Sequence, residues 1–256
     1  MRSPHVCHVT HIDAMFHRAW DDRPLWAILE ARHLQGLLKL DLARCGFPGE
    51  VGDAWAEAEH VRGLRELNLS FNDALGAPAM AALAQVGRLP QLSKLSLNHT
   101  GIGAEGVQAL ASLDTPALTH LHLNSVPVSD EVLVELVAAP RLSKLASLNL
   151  EHTGLGDEGV AVLARATHMK RLTRLVFNHN GLGPAGARAL AGATHWTRLK
   201  ALRLWSNGLG DEGARALLEA THLSALQDLS LDNNHLTDAI AEPLRWVALD
   251  SGSAMA

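Results

Sequence analysis

Of 256 residues, 47% are hydrophobic and 19% charged, which describes an ordered soluble chain and excludes a disordered one. A formal net charge of −5 argues against a protein built mainly to hold nucleic acid, which carries a basic stripe. Two cysteines, Cys7 and Cys45, cannot make a disulfide framework and fit a reducing compartment.

Residues 1–33 carry no repeat. Met1 to Phe16 has scattered histidines and lacks the apolar run of a secretory signal. No later segment offers the ~18 uninterrupted apolar residues of a membrane span. A soluble, cytoplasmic protein is therefore expected. Trp20, Leu25, Trp26, Ile28 and Leu29 suffice for a short amphipathic helix, so residues 1–36 read as a helical N-terminal cap. His5, Cys7, His8 and His11 match no zinc spacing. Cys7 and His8 are sequence neighbours without an orienting third group, which is a poor catalytic pair.

From Leu37 the pattern Leu-x-x-Leu-x-Leu-x-x-(Asn/Thr/Cys)-x-(Leu/Ile) recurs, starting again at Leu64, Leu92, Leu118, Leu145, Leu172, Leu199 and Leu226. A fixed interval of 26 to 28 residues is the mark of a solenoid, one supersecondary unit stacked on the next. Within a unit, Leu202 and Leu204 are two apart and point to one face of a short strand, with Arg203 on the other. From Asp211 the period turns helical through Gly213, Ala214, Leu217 and Ala220. Asp211 and Glu212 stand where a helix N-cap and first turn favour acids, as do Asp130, Glu131, Asp157 and Glu158.

The strands should lie parallel with all helices on one side. Helices are ~10–12 Å wide and strands ~4.8 Å apart, so the sheet must curve inward. The ninth position of each unit holds Cys45, Asn72, Thr100, Val126, Thr153, Asn180, Asn207 or Asn234. Most of these can hydrogen-bond corner backbone that would otherwise go unpaired, Cys45 weakly and Val126 not at all. Pro127 leaves the Val126 corner one fewer donor to satisfy. Gly46, Gly101, Gly154, Gly181 and Gly208 follow this position and suggest a turn with positive φ. Asp73-Ala74 inserts one residue and should bulge its corner without breaking the stack.

Residues 48–63 depart from the helix pattern and carry Trp55; Pro243 and Trp246 mark an altered last helix, and 251–256 read as a flexible tail. The solenoid is thus expected over residues 37–250. The stretches Asn207-Gly-Leu-Gly-Asp-Glu-Gly-Ala-Arg-Ala-Leu217 and Thr153-Gly-Leu-Gly-Asp-Glu-Gly-Val-Ala-Val-Leu163 resemble leucine-rich repeats of the ribonuclease-inhibitor-like class. That resemblance implies a right-handed α/β horseshoe of about eight repeats, with a parallel concave sheet that binds proteins and convex helices.

Function must then lie in the residues between the leucines. Trp205 and Arg203 project from the concave face, with Arg174 and His179 one repeat before and Asp228 and Asp232 one repeat after. An exposed Trp beside Arg has the composition of a binding hot spot. Phe71 is a second anchor. His99, His152 and His179 share a column, interrupted by Ser125, with His120 and His122 on the strand between; a parallel column gives poor tetrahedral geometry for a metal. His168, His195 and His222 recur after successive helices and read as a polar turn copied with the repeat.

Concave cations Lys39, Arg44, Arg65, Lys94, Arg174, Lys200 and Arg203 face anions Asp41, Glu66, Glu151, Asp228 and Asp232, a near balance that favours a protein over a phosphate backbone. No triad, phosphate loop or metal motif occurs. The expectation is a non-enzymatic, monomeric interaction scaffold, with no cofactor, metal, nucleic acid or membrane. The rival readings are a regulatory adaptor or GTPase-activator-like protein, or the repeat part of a bacterial effector.

Overall fold

A computed structural model of the chain describes residues 9–14, 28, 30–31, 34–46, 58–87, 89–138 and 140–240. Among these residues nine three-residue strands form one sheet: β1 His11–Asp13, β2 Lys39–Asp41, β3 Glu66–Asn68, β4 Lys94–Ser96, β5 His120–His122, β6 Ser147–Asn149, β7 Arg174–Val176, β8 Ala201–Arg203 and β9 Asp228–Ser230. All pairs are parallel, and strand order in the sheet is chain order. The register never slips. Leu40, Leu67, Leu95, Leu121, Leu148, Leu175, Leu202 and Leu229 form one row across the sheet. A one-residue slip would turn every leucine outward, so the buried row fixes the pairing.

Among the described residues, six α-helices accompany the strands: α1 Ala77–Gln85, α2 Gly103–Ser112, α3 Asp130–Ala138, α4 Asp157–Arg165, α5 Pro184–Ala191 and α6 Gly210–Leu218. Each contacts the next along the stack. This is the α/β solenoid expected from the repeat. Strand and helix leucines make one continuous core, with Trp196 and Phe177 its largest fully buried side chains.

β1 is an addition to that expectation. The segment read as a helical cap contributes a strand that pairs with β2 and extends the leucine row through Ile12. A lone isoleucine between His11 and Asp13 gives too short an alternation to announce a strand. The expected cap tryptophans Trp20 and Trp26, and Trp55, Pro243, Trp246 and the tail, lie outside the described residues.

The ninth-position ladder forms and ties repeats together. Asn207 donates from Nδ2 to the carbonyls of Phe177 (3.0 Å) and Leu204 (2.9 Å), and its Oδ1 accepts from the amides of Asn180 (3.2 Å) and Leu182 (3.1 Å). The Thr100 hydroxyl donates to the carbonyl three residues back, and the Thr153 hydroxyl does the same at 2.9 Å while also lying 3.2 Å from Asn180 Oδ1. Cys45 donates to the Ala14 carbonyl at 3.1 Å, joining the first repeat to the segment after β1. At the Val126 corner the backbone replaces the side chain: Val126 N–H donates to the Leu123 carbonyl of its own repeat, and Val128 N–H donates to the Thr153 carbonyl of the next. The insertion at Asp73-Ala74 is absorbed as expected, since Asn72 and Thr100 still bridge; it brings the Asp73 carbonyl so close that a Cβ on Gly101 would lie 2.2 Å from it.

Two local expectations need correction. Positive φ occurs at Gly46 and Gly154 but not at Gly101, Gly181 or Gly208. After the last ladder residue it occurs at His235, and it occurs as well one position before the ladder residue, at Arg44, Phe71, His99, Ser125, His152, His179, Ser206 and Asn233, with φ between 50° and 61°. The amide of nearly every one of these donates to the next repeat, as Phe71 to Asn98 (2.7 Å) and His179 to Trp205 (2.9 Å), so sheet-like pairing continues through the left-handed residue and sustains it.

At α4 and α6 the opening acids are not caps of their own helices, since neither has a side-chain N-cap bond; at α3, Glu131 does accept from its own amide. Asp157 reaches the following helix instead, accepting at Oδ1 from the amides of Gly183 (2.7 Å) and Gly186 (2.8 Å) at the start of α5. Asp211 does the same for Thr237, accepting from its amide and hydroxyl, and these bonds lower its pKa. The capping is between repeats.

Candidate binding surface

The outward residues of each strand, with the two corner residues that follow, make columns running across the sheet. At the corner edge, rings follow one another. The Arg44 guanidinium lies 4.5 Å from the Phe71 ring centroid, and Phe71 stacks on His99 at 4.7 Å. After Ser125 the series resumes with His152 and His179 at 6.2 Å, and the His179 ring meets Trp205 edge-on at 4.3 Å. Phe71 is 42% exposed and Trp205 37%, high for such large apolar side chains. The left-handed backbone explains the histidines in part, because His, Asn and Asp are the side chains that tolerate it. It does not explain Phe71, a bulky residue at φ 61°.

Of the residues singled out in the sequence, His179 and Trp205 are brought into direct ring contact. Trp205 is also fixed from behind, its amide donating to Asn178 Oδ1 at 2.9 Å. Arg203 is otherwise engaged. Its Nε and Nη2 both donate to Asp228 Oδ2, at 2.9 and 2.8 Å, so it forms a half-exposed ion pair rather than standing open beside the tryptophan. Asp232 is exposed on the next repeat in the Trp205 column, and its backbone carbonyl takes the Ser206 amide. Arg174 is half-buried on β7. Phe71 follows β3, five strands and roughly 24 Å from the Trp205 repeat, so the two anchors are separate.

The middle of the sheet belongs to β5. His122 is half-buried, and its Nδ1 lies 3.4 Å from Ser96 Oγ. Burial first, then the charges of Lys94, His120 and Arg174, lower its pKa to about 4. His120 is lowered too, by burial and Lys94, against a raising influence from Glu66. The sign is definite. As pH falls, the unfolded chain protonates His122 near 6.5 while the folded one resists to about 4, so stability present above pH 6.5 is lost across that window. With solvent screening at this partly open site, the loss is about 1–2 kcal/mol. His122→Asn should flatten urea-melt stability between pH 6.5 and 4 by that amount; an unchanged profile would refute the assignment.

A depression of about 330 Å³ opens at the N-terminal end, bordered by His11, Asp13, Lys39, Asp41, Glu66 and Lys94. It could not be foreseen without β1. On the far edge, His168, His195 and His222 recur in register with Nε2 of each buried. Burial, then the neighbouring His168 and His222, lower the pKa of His195, while a hydrogen bond to the Ala166 carbonyl opposes this. Among the described residues no group of three His, Cys, Asp or Glu is arranged to hold a metal ion. No helix among them is long and apolar enough to cross a membrane.

A regular stack that spends its leucines inward and presents one continuous sheet face is a repeat scaffold. Five segments, 63–84, 89–111, 141–164, 168–191 and 197–218, match the family model described as Leucine Rich repeat. The chain is a leucine-rich repeat protein, and such repeats serve as protein-interaction modules. The repeat left between matched segments, 112–140, is the one with the Val126-Pro127 corner. No curated protein matches the chain.

Proposed function

We propose that the concave face binds a protein partner without catalysing a reaction, and that Trp205 is the centre of the contact. The observation that carries this reading is the exposed Trp205 ring set edge-on against His179, its backbone held by Asn178. A large aromatic fixed before the partner arrives loses little entropy on binding, which is how hot spots are made. Asp232 flanks it, and Arg203 acts as a pair with Asp228 rather than as a lone cation. Arg174 lies further along the same face. Phe71, stacked between Arg44 and His99, is a second anchor, and its left-handed backbone is the kind of local strain that collects at binding sites. The reading includes a cytoplasmic monomer with no cofactor. An α-helix in repeat after repeat supports a ribonuclease-inhibitor-like arrangement within the family.

The test compares Trp205→Ala with wild type in a pull-down from the native cell, followed by affinity measurement on the recovered partner. The variant should lose about 2 kcal/mol, roughly thirtyfold in Kd, while its stability stays within about 0.5 kcal/mol of wild type. A partner held equally by both proteins would remove Trp205 from the site.

A further inference from the structure

We propose that the middle of the concave sheet, from β4 to β7, takes an acidic peptide segment whose carboxylates are held by Lys94 and Arg174. This rests on the concave-face reading above and names the chemistry of the partner.

The residue count of concave charges is near balance, but the structure distributes them unevenly. Lys39 and Glu66 neutralise each other at 2.7 Å near one end, and Arg203 and Asp228 at 2.8 Å near the other. Asp41 directs its carboxylate to Asn68 Nδ2, at 2.9 and 3.1 Å, and to the Ala43 amide. Between these ends, Lys94 and Arg174 make no ion pair with any described residue. The row that joins them across β5 and β6 is His120 and Ser147; the row beside it is Ser96, His122, Asn149 and Val176. No carboxylate stands in either row from β4 to β7. The nearest are Glu66, held by Lys39, and Glu151 at the corner after β6.

The floor is shallow, with Ser96, Ser147 and Val176 buried, so a partner's backbone can come close between the two cations. Lys94 and Arg174 stand three strands apart, about 14 Å, the length of roughly four extended residues. Two carboxylates four positions apart on an extended segment fit that span. The surplus is felt inside the protein as well, where Lys94 and Arg174 act with burial to keep His122 neutral. The groups facing His122 are Lys94 and Ser96 from β4, His120 beside it, Asn149 from β6 and Arg174 from β7. Incoming carboxylates oppose that field, so binding is accompanied by proton uptake and strengthens as pH falls toward 5.5.

The probe is a fluorescein-labelled peptide carrying glutamates four positions apart in a Gly/Ser background, with its glutamine counterpart, read by anisotropy at pH 6 and low ionic strength. Lys94→Ala with Arg174→Ala should weaken the glutamate peptide at least tenfold, and the glutamine peptide should bind wild type at least tenfold more weakly. Arg65→Ala with Lys200→Ala removes the same charge at the strand starts and should change binding less than twofold. Equal losses in the two double variants, or no binding at millimolar peptide, would overturn the proposal. So would an oligothymidylate of equal charge that binds as tightly through the same two residues. A partner lost on Trp205→Ala but indifferent to Lys94 and Arg174 would refute the acidic segment and leave the concave-face reading standing; indifference to all three would refute both.

Discussion

Asn207→Ala is expected to destabilise the protein by about 3–5 kcal/mol, read as a shift of the urea midpoint at unchanged m-value. The side chain is buried and serves two repeats. It satisfies the Phe177 and Leu204 carbonyls and the Asn180 and Leu182 amides, and Ala can replace none of these bonds. Each buried group left without a partner costs ~1–3 kcal/mol, partly relieved where water can enter. Asn207→Thr, which restores at best the bond to Leu204 seen in the Thr100 and Thr153 corners, should recover only part of the loss. A loss under about 1 kcal/mol for Ala would mean that the ladder is ornamental.

Gly186→Ala sets two effects against each other. Gly costs roughly 1 kcal/mol relative to Ala inside a helix, so propensity alone predicts stabilisation. Packing predicts the reverse. A Cβ here would sit 2.5 Å from Asp157 Oδ1 and 2.9 Å from Leu182 Cγ. The carboxylate cannot retreat without abandoning the Gly183 and Gly186 amides it caps. Overpacking and the lost cap together outweigh propensity, for an expected net loss of about 2 kcal/mol. The mechanism is checked by a cycle with Asp157→Ala. With the carboxylate gone, Gly186→Ala should cost at least 1 kcal/mol less, whereas additive losses would locate the strain elsewhere.

These positions also show how far the sequence could be read. The leucine interval placed the strands, the inward rows and the ladder, because burial on one face is strictly periodic and needs no partner to be recognised. The Asp-Glu-Gly opening was visible, but its purpose was not. An acid before a helix looks like a cap for that helix, and only the stacking distance shows Asp157 reaching the next one. Left-handed corners were sought at glycines and lie at Phe71, His99 and His179, where inter-repeat bonding rather than side-chain absence permits them. On the binding face, the sequence put Trp205 and His179 outward, yet could not pair Arg203 with Asp228 or find the depression completed by β1. Side-chain partnership depends on rotamers that no column of letters records.

The two ties between neighbours point in opposite directions. Asp157 serves a helix that comes after it in the chain, whereas Asn207 serves a corner that comes before it. As the chain leaves the ribosome, a new helix therefore finds its anchoring acid already in place. Its corner must wait for the unit behind it. The asparagine-bearing repeats, at Asn72, Asn180, Asn207 and Asn234, each complete the corner made before them, so a chain cut short ahead of any one of them would leave that corner short of partners.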